Sequence, residues 1–195
     1  MKIAPPQSGL TCDSETRSQL EQFIAQPEPA AQAPCPGCDR HIPANCSGQC
    51  EDASTALSID PVRYPIESKV VPLVFELTAS RLMQTCWSCE GHMDKQNRLW
   101  KVPQVSFYAD SPIYPKLVLI HLTRLYQARQ LGYRWHVVLS DFTQTLSLTY
   151  SIQPDLNQEE SPRLGLLQQD LQVISNDMHS QLKLIARELL TAHCH

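Results

Sequence analysis

A chain of 195 residues with a net charge of −4 is long enough to bury a core, and it lacks the basic surplus that marks a nucleic-acid-binding protein. No stretch approaches the roughly 18 consecutive apolar residues of a membrane span, and residues 1–6 lack the apolar core of a secretion signal. These features predict a cytoplasmic protein with neither nucleic acid nor membrane as partner, and a reducing cytosol would steer cysteines toward metal or redox chemistry.

The charge is unevenly spread. Residues 1–60 hold three basic and eight acidic side chains, whereas residues 61–195 hold thirteen and twelve. Nine of the fifteen prolines fall in the first 65 residues. An acidic, Pro-rich stretch with few large apolar residues buries too little surface to offset its conformational entropy. Two regions follow from this: an N-terminal segment over residues 1–64 and a body over 65–195. Within the first, residues 13–25 read as a short helix, capped by Asp13 or Ser14, with Leu20, Phe23 and Ile24 on one face. Pro27 and Pro29 stop it. Residues 26–64 read as irregular.

The body opens with a predicted helix over 70–84, with Pro72 in its first turn. Residues 85–88 and 102–109 are predicted strands of a hairpin; Val105, Phe107 and Ala109 alternate with Ser106 and Tyr108. Ser111-Pro112 starts a helix that runs to Leu131 and stops at Gly132. Residues 135–140 and 146–152 form a second predicted hairpin, in which Tyr150 and Ile152 face opposite to Thr149 and Ser151. Leu164, Leu167, Leu171, Ile174, Met178, Leu182, Ile185 and Leu189 recur at steps of three or four, which predicts one long helix over 161–192. The order α-β-β-α-β-β-α predicts an α+β fold. Two hairpins make an antiparallel or mixed sheet of about four strands, with three helices packed on it.

Chemistry concentrates at the eight cysteines. Cys35, Cys38, Cys46 and Cys50 sit within sixteen residues at C-x2-C-x7-C-x3-C spacing, a set able to satisfy tetrahedral zinc. Pro36-Gly37 and Ser47-Gly48 suit tight knuckles, and metal would supply the folding energy this segment lacks. His41 is a substitute ligand. Four thiolates also hold an iron-sulfur cluster, which stands as the rival. A second set, Cys86, Cys89 and His92, has C-x2-C-x2-H spacing where a strand runs into a loop. Three protein ligands with an open position is the form of a catalytic metal site, and Glu90 beside them is a candidate general base. A regular strand would point Cys86 and Cys89 to opposite faces. Cys86 would then be core, and Cys89 with His92 the functional pair, either as ligands or as an activated thiol. A third arrangement joins Cys35 and Cys38 to Cys86 and Cys89 around one ion. Cys12 and Cys194 read as free bystanders. Trp87, Trp100 and Trp135 read as core, His121 and His136 as structural, and His179 as solvated.

The expectation from sequence is a small metal-binding protein, zinc being the ion, with a structural or regulatory role toward a protein partner or toward a second copy through the C-terminal helix. The alternatives are an enzyme centred on Cys89, Glu90 and His92, and an iron-sulfur electron carrier.

Overall fold

A computed structural model describes residues 12–27, 63, 66–140, 148–156 and 161–194. Cys35, Cys38, Cys46 and Cys50 lie outside the described residues, as does His41. Among the described residues the architecture is α+β, as the alternation of elements requires. Helix α1 (Ser14–Ala25) begins where Asp13 accepts the backbone N–H of Thr16 at 2.7 Å. Helix α2 (Val71–Ala79) carries Pro72 in its first turn. Strand β1 (Met83–Cys89) is followed by a small hairpin, β2 (His92–Met93) and β3 (Leu99–Lys101), and then by β4 (Gln104–Ala109). Helix α3 (Ile113–Gln127), strands β5 (Trp135–Ser140) and β6 (Thr149–Pro154), and helices α4 (Leu164–Ser175) and α5 (Met178–His193) complete the chain.

The main sheet has the order β1-β4-β6-β5, with every pair antiparallel. The two hairpins meet through β4 and β6. One face carries Phe107, Val105, Ile152, Tyr150 and Val137, all buried in the core shared with the helices. The opposite face is polar: Ser106 Oγ lies 2.6 Å from Ser151 Oγ, and Ser140 Oγ lies 3.4 Å from the same atom. Alternation along the strands thus separates an apolar side from a hydroxyl-lined side.

Several local readings change. Helix α2 ends at Ala79, not near residue 84. Ser80 Oγ donates to the Leu77 carbonyl and accepts from the N–H groups of Leu82 and Met83, and Arg81 turns left-handed at φ 57°. This side-chain turn competes with helix continuation and hands Met83 and Gln84 to β1. The long terminal helix breaks in two at Asn176-Asp177, where Asp177 adopts φ 51°. Asn and Asp tolerate this conformation better than other side chains. Past the break, the His179 N–H is received by Glu76 Oε2 at 2.8 Å, so α2 supplies the carboxylate that caps α5. His179 is therefore buried rather than solvated. Leu167, Leu171, Ile174, Met178, Leu182 and Ile185 are all buried within this chain.

The third change concerns the termini. Cys12 and Cys194 are bonded to each other across 182 positions of sequence, with Cα atoms 5.1 Å apart. They are not bystanders; α1 lies against α5 and brings the two ends together. The fourth concerns the tryptophans. Trp135 is core, but Trp87 and Trp100 stand 48% and 66% exposed.

Candidate metal site

Three chain segments converge at one corner of the sheet. Strand β1 ends at Cys89, whose side chain is buried. The strand does not run regularly to that point. Thr85 pairs with Phe107 and Trp87 with Ser106, leaving Cys86 as an extra, unmatched residue. Such a bulge shifts the alternation by one position. Trp87 and Cys89 consequently share the face of Ser106 and Gln104, their cross-strand partners. Cys86 is exposed and is not core. Partial desolvation of its thiol pushes its pKa up, against a hydrogen bond from Tyr108 that pulls it down.

After Cys89 the chain turns at Gly91, which adopts φ +87°. A Cβ here would stand 2.6 Å from Leu164 Cδ1 and 2.8 Å from Pro103 Cδ. Only glycine meets both demands, the positive φ and the lack of space. The turn folds the Gly91 N–H back onto Cys89 Sγ at 3.4 Å and delivers His92 to the start of β2. Gly91→Ala is therefore expected to destabilise the protein by about 2 kcal/mol or more. Urea melts of both proteins check this.

The third segment is the approach to α2. Glu67 places Oε1 2.8 Å from His92 Nε2, while its Oε2 accepts the Glu90 N–H at 2.7 Å. Glu90 returns the bond, with its Oε2 accepting the Lys69 N–H at 3.0 Å. Its carbonyl also accepts from Gln168 Nε2 of α4 at 3.1 Å. The two glutamates thus clasp two loops together. Glu67, Cys89 and His92 offer one ligand atom each, all within 4.8 Å of one another. Zinc-ligand bonds of about 2.0–2.3 Å put two ligands of one ion roughly 3.3–3.8 Å apart, so small rotations close the set.

The donor set is carboxylate oxygen, thiol sulfur and imidazole nitrogen. Burial pushes the Cys89 thiol pKa up; the Gly91 N–H pulls it down, and the Glu67 charge pushes it up again. Lys101 offsets part of this from β3. A raised pKa makes Cys89 a poor nucleophile at neutral pH. A cation between Cys89 and Glu67 reverses the penalty, because it favours the thiolate that the carboxylate opposes.

The structure brings Cys89 and His92 together, as their spacing suggests, and does not bring Cys86 into the group. Glu90 lies beside the group, and its carboxylate accepts the Lys69 N–H. Glu67 offers the carboxylate ligand atom of the group. Nothing in the sequence marked it, since it lies 22 positions before Cys89 with a helix and most of a strand between. No protein-family model matches this chain, and no curated protein or solved structure matches it either.

Proposed function

We propose that this is a zinc-binding protein whose ion is held by Cys89, His92 and Glu67 and ties the entry of α2 to the β1–β2 corner. The observation that carries this reading is the convergence of three ligand atoms of different chemistry within 4.8 Å, two from one turn and the third, Glu67, from 22 positions before Cys89. Mixed sulfur, nitrogen and oxygen donors suit zinc better than magnesium or calcium, which prefer oxygen. The role is structural or regulatory. The ligand-bearing strands and their hairpin carry exposed Trp87, Trp100 and Met93, which suits a protein partner at this corner.

A second reading is favoured by the half-exposure of Glu67 and His92, whose side chains are 32% and 37% accessible. Three protein ligands with a solvent side would leave a position for water, as in a metal-dependent hydrolase. Cys35, Cys38, Cys46 and Cys50 remain the candidates for a separate zinc or iron-sulfur centre. Neither reading depends on a reducing cytosol, and the Cys12–Cys194 disulfide is more typical of an oxidising compartment.

Elemental analysis of the full chain tests the proposal. A variant with Cys35, Cys38, Cys46 and Cys50 all changed to Ser is expected to keep about one zinc per chain. Iron with acid-labile sulfide in place of zinc would overturn the reading. So would loss of all metal from the fourfold variant.

A further inference from the structure

We propose that the Cys12–Cys194 disulfide is a reversible thiol–disulfide exchange site, which latches α1 to the helical layer. Helix α1 has twelve residues, and only Leu20 and Phe23 among them are buried. A helix that short is marginal on its own, so its order depends on docking. The docking rests on few buried side chains and a handful of polar contacts. Phe23 meets the rings of Tyr114 and His179 at 5.7 and 6.0 Å. Ser111 Oγ donates to Gln19 Oε1 at 2.6 Å, and Tyr114 Oη donates to Gln22 Oε1 at 3.3 Å. At the far end Lys183 Nζ donates to the Gln26 carbonyl at 2.6 Å. The disulfide closes the near end, joining the residue before the Asp13 cap to the residue after α5.

The position of the bond gives it leverage. It ties the start of α1 to the end of α5, 182 positions apart in sequence. Opening the bond removes the covalent hold on α1 and leaves two buried side chains and three hydrogen bonds to keep it in place. Release would uncover Ile113, Tyr114, His179 and Leu189, which α1 and the disulfide now cover.

The chemistry needs a dithiol as reductant. Its thiolate attacks the protein disulfide to give a mixed disulfide, and its second thiol resolves that intermediate. The protein gains two electrons and two protons as Cys12 and Cys194 thiols, and the reductant leaves as a disulfide. Cys12 is only half-buried, which gives the reductant access. A small-molecule disulfide runs the exchange backward.

Hydrogen exchange on the full-length protein, followed by mass spectrometry, tests the latch. Reduction by a dithiol is expected to speed exchange in residues 14–25 by about tenfold or more, while β4, β6 and α4 keep their protection. Cys12→Ser should show the same fast α1 without any reductant and should bind as much zinc as the wild type. Adding a small-molecule disulfide should restore slow exchange in the reduced wild type. Unchanged α1 protection after reduction would overturn the proposal. Loss of protection throughout the chain would also overturn it, by making the bond a support of the whole fold. So would alkylation of Cys12 in the air-oxidised protein, or failure of reoxidation to restore protection.

Discussion

Cys89→Ser is expected to abolish zinc binding while leaving the fold intact. Serine preserves the shape of the side chain, and its hydroxyl can still accept the Gly91 N–H that now meets Cys89 Sγ. It does not ionise near neutral pH, so the site loses its only thiolate. Two ligands, His92 and Glu67, then remain, and they sit 2.8 Å apart with a hydrogen bond to each other as the competing arrangement. Made in the background with Cys35, Cys38, Cys46 and Cys50 all changed to Ser, the substitution should lower zinc content to less than about a tenth of its parent's. The cobalt-loaded parent should show a thiolate-to-cobalt charge-transfer band that the Cys89→Ser variant lacks. Melts in a chelator separate metal loss from damage. With metal removed the two proteins should differ by about 1–2 kcal/mol, the cost of a buried hydroxyl in place of a thiol. With zinc in thousandfold excess over its dissociation constant, the parent alone should gain about 4 kcal/mol. Full zinc occupancy in this Cys89→Ser variant would eliminate the proposed site.

Asp170→Ala is expected to cost about 3–5 kcal/mol, the largest single-residue effect outside the apolar core. Asp170 lies on α4 and is 3% exposed. Its Oδ1 accepts the Gly132 N–H at 2.8 Å, and its Oδ2 accepts the Tyr133 N–H at 3.0 Å and Trp135 Nε1–H at 2.9 Å. One carboxylate thus satisfies three donors where the chain leaves α3 and enters β5. Alanine strands all three, and the indole N–H of the buried Trp135 has the least access to water. Asp170→Asn keeps one acceptor oxygen and should lose less. In a chain of this size the alanine variant should melt about 6–20 °C lower. A loss below about 1 kcal/mol in urea denaturation would show that water replaces these bonds at little cost.

The two positions differ in how readable they were. Cys89 announced itself through C-x2-C-x2-H spacing, because a thiol and an imidazole three positions apart meet across a single turn. Asp170 looked like any polar residue on a helix. Its importance lies in three donors more than thirty positions earlier in the chain. Glu67 was hidden for the same reason: the bond to His92 and the clasp with Glu90 exist only after α2 and β1 have folded back. Cys86 was misjudged in the opposite sense. The sequence holds a plain strand there, and the bulge that leaves Cys86 exposed appears only in its register with β4.

What the sequence by itself determined is local and periodic. Alternation in β4 and β6, the three-and-four spacing of the terminal helices, the Asp13 cap and the Pro112 start follow from contacts within a few residues, and they suffice for an α+β order of elements. The tertiary structure alone decided the break at Asp177, where the Glu76 carboxylate makes a new helix start favourable. It also decided the pairing of Cys12 with Cys194 and the entry of Glu67 into the candidate metal site. Each depends on two groups that chain topology brings together, and no local pattern encodes the distance between them.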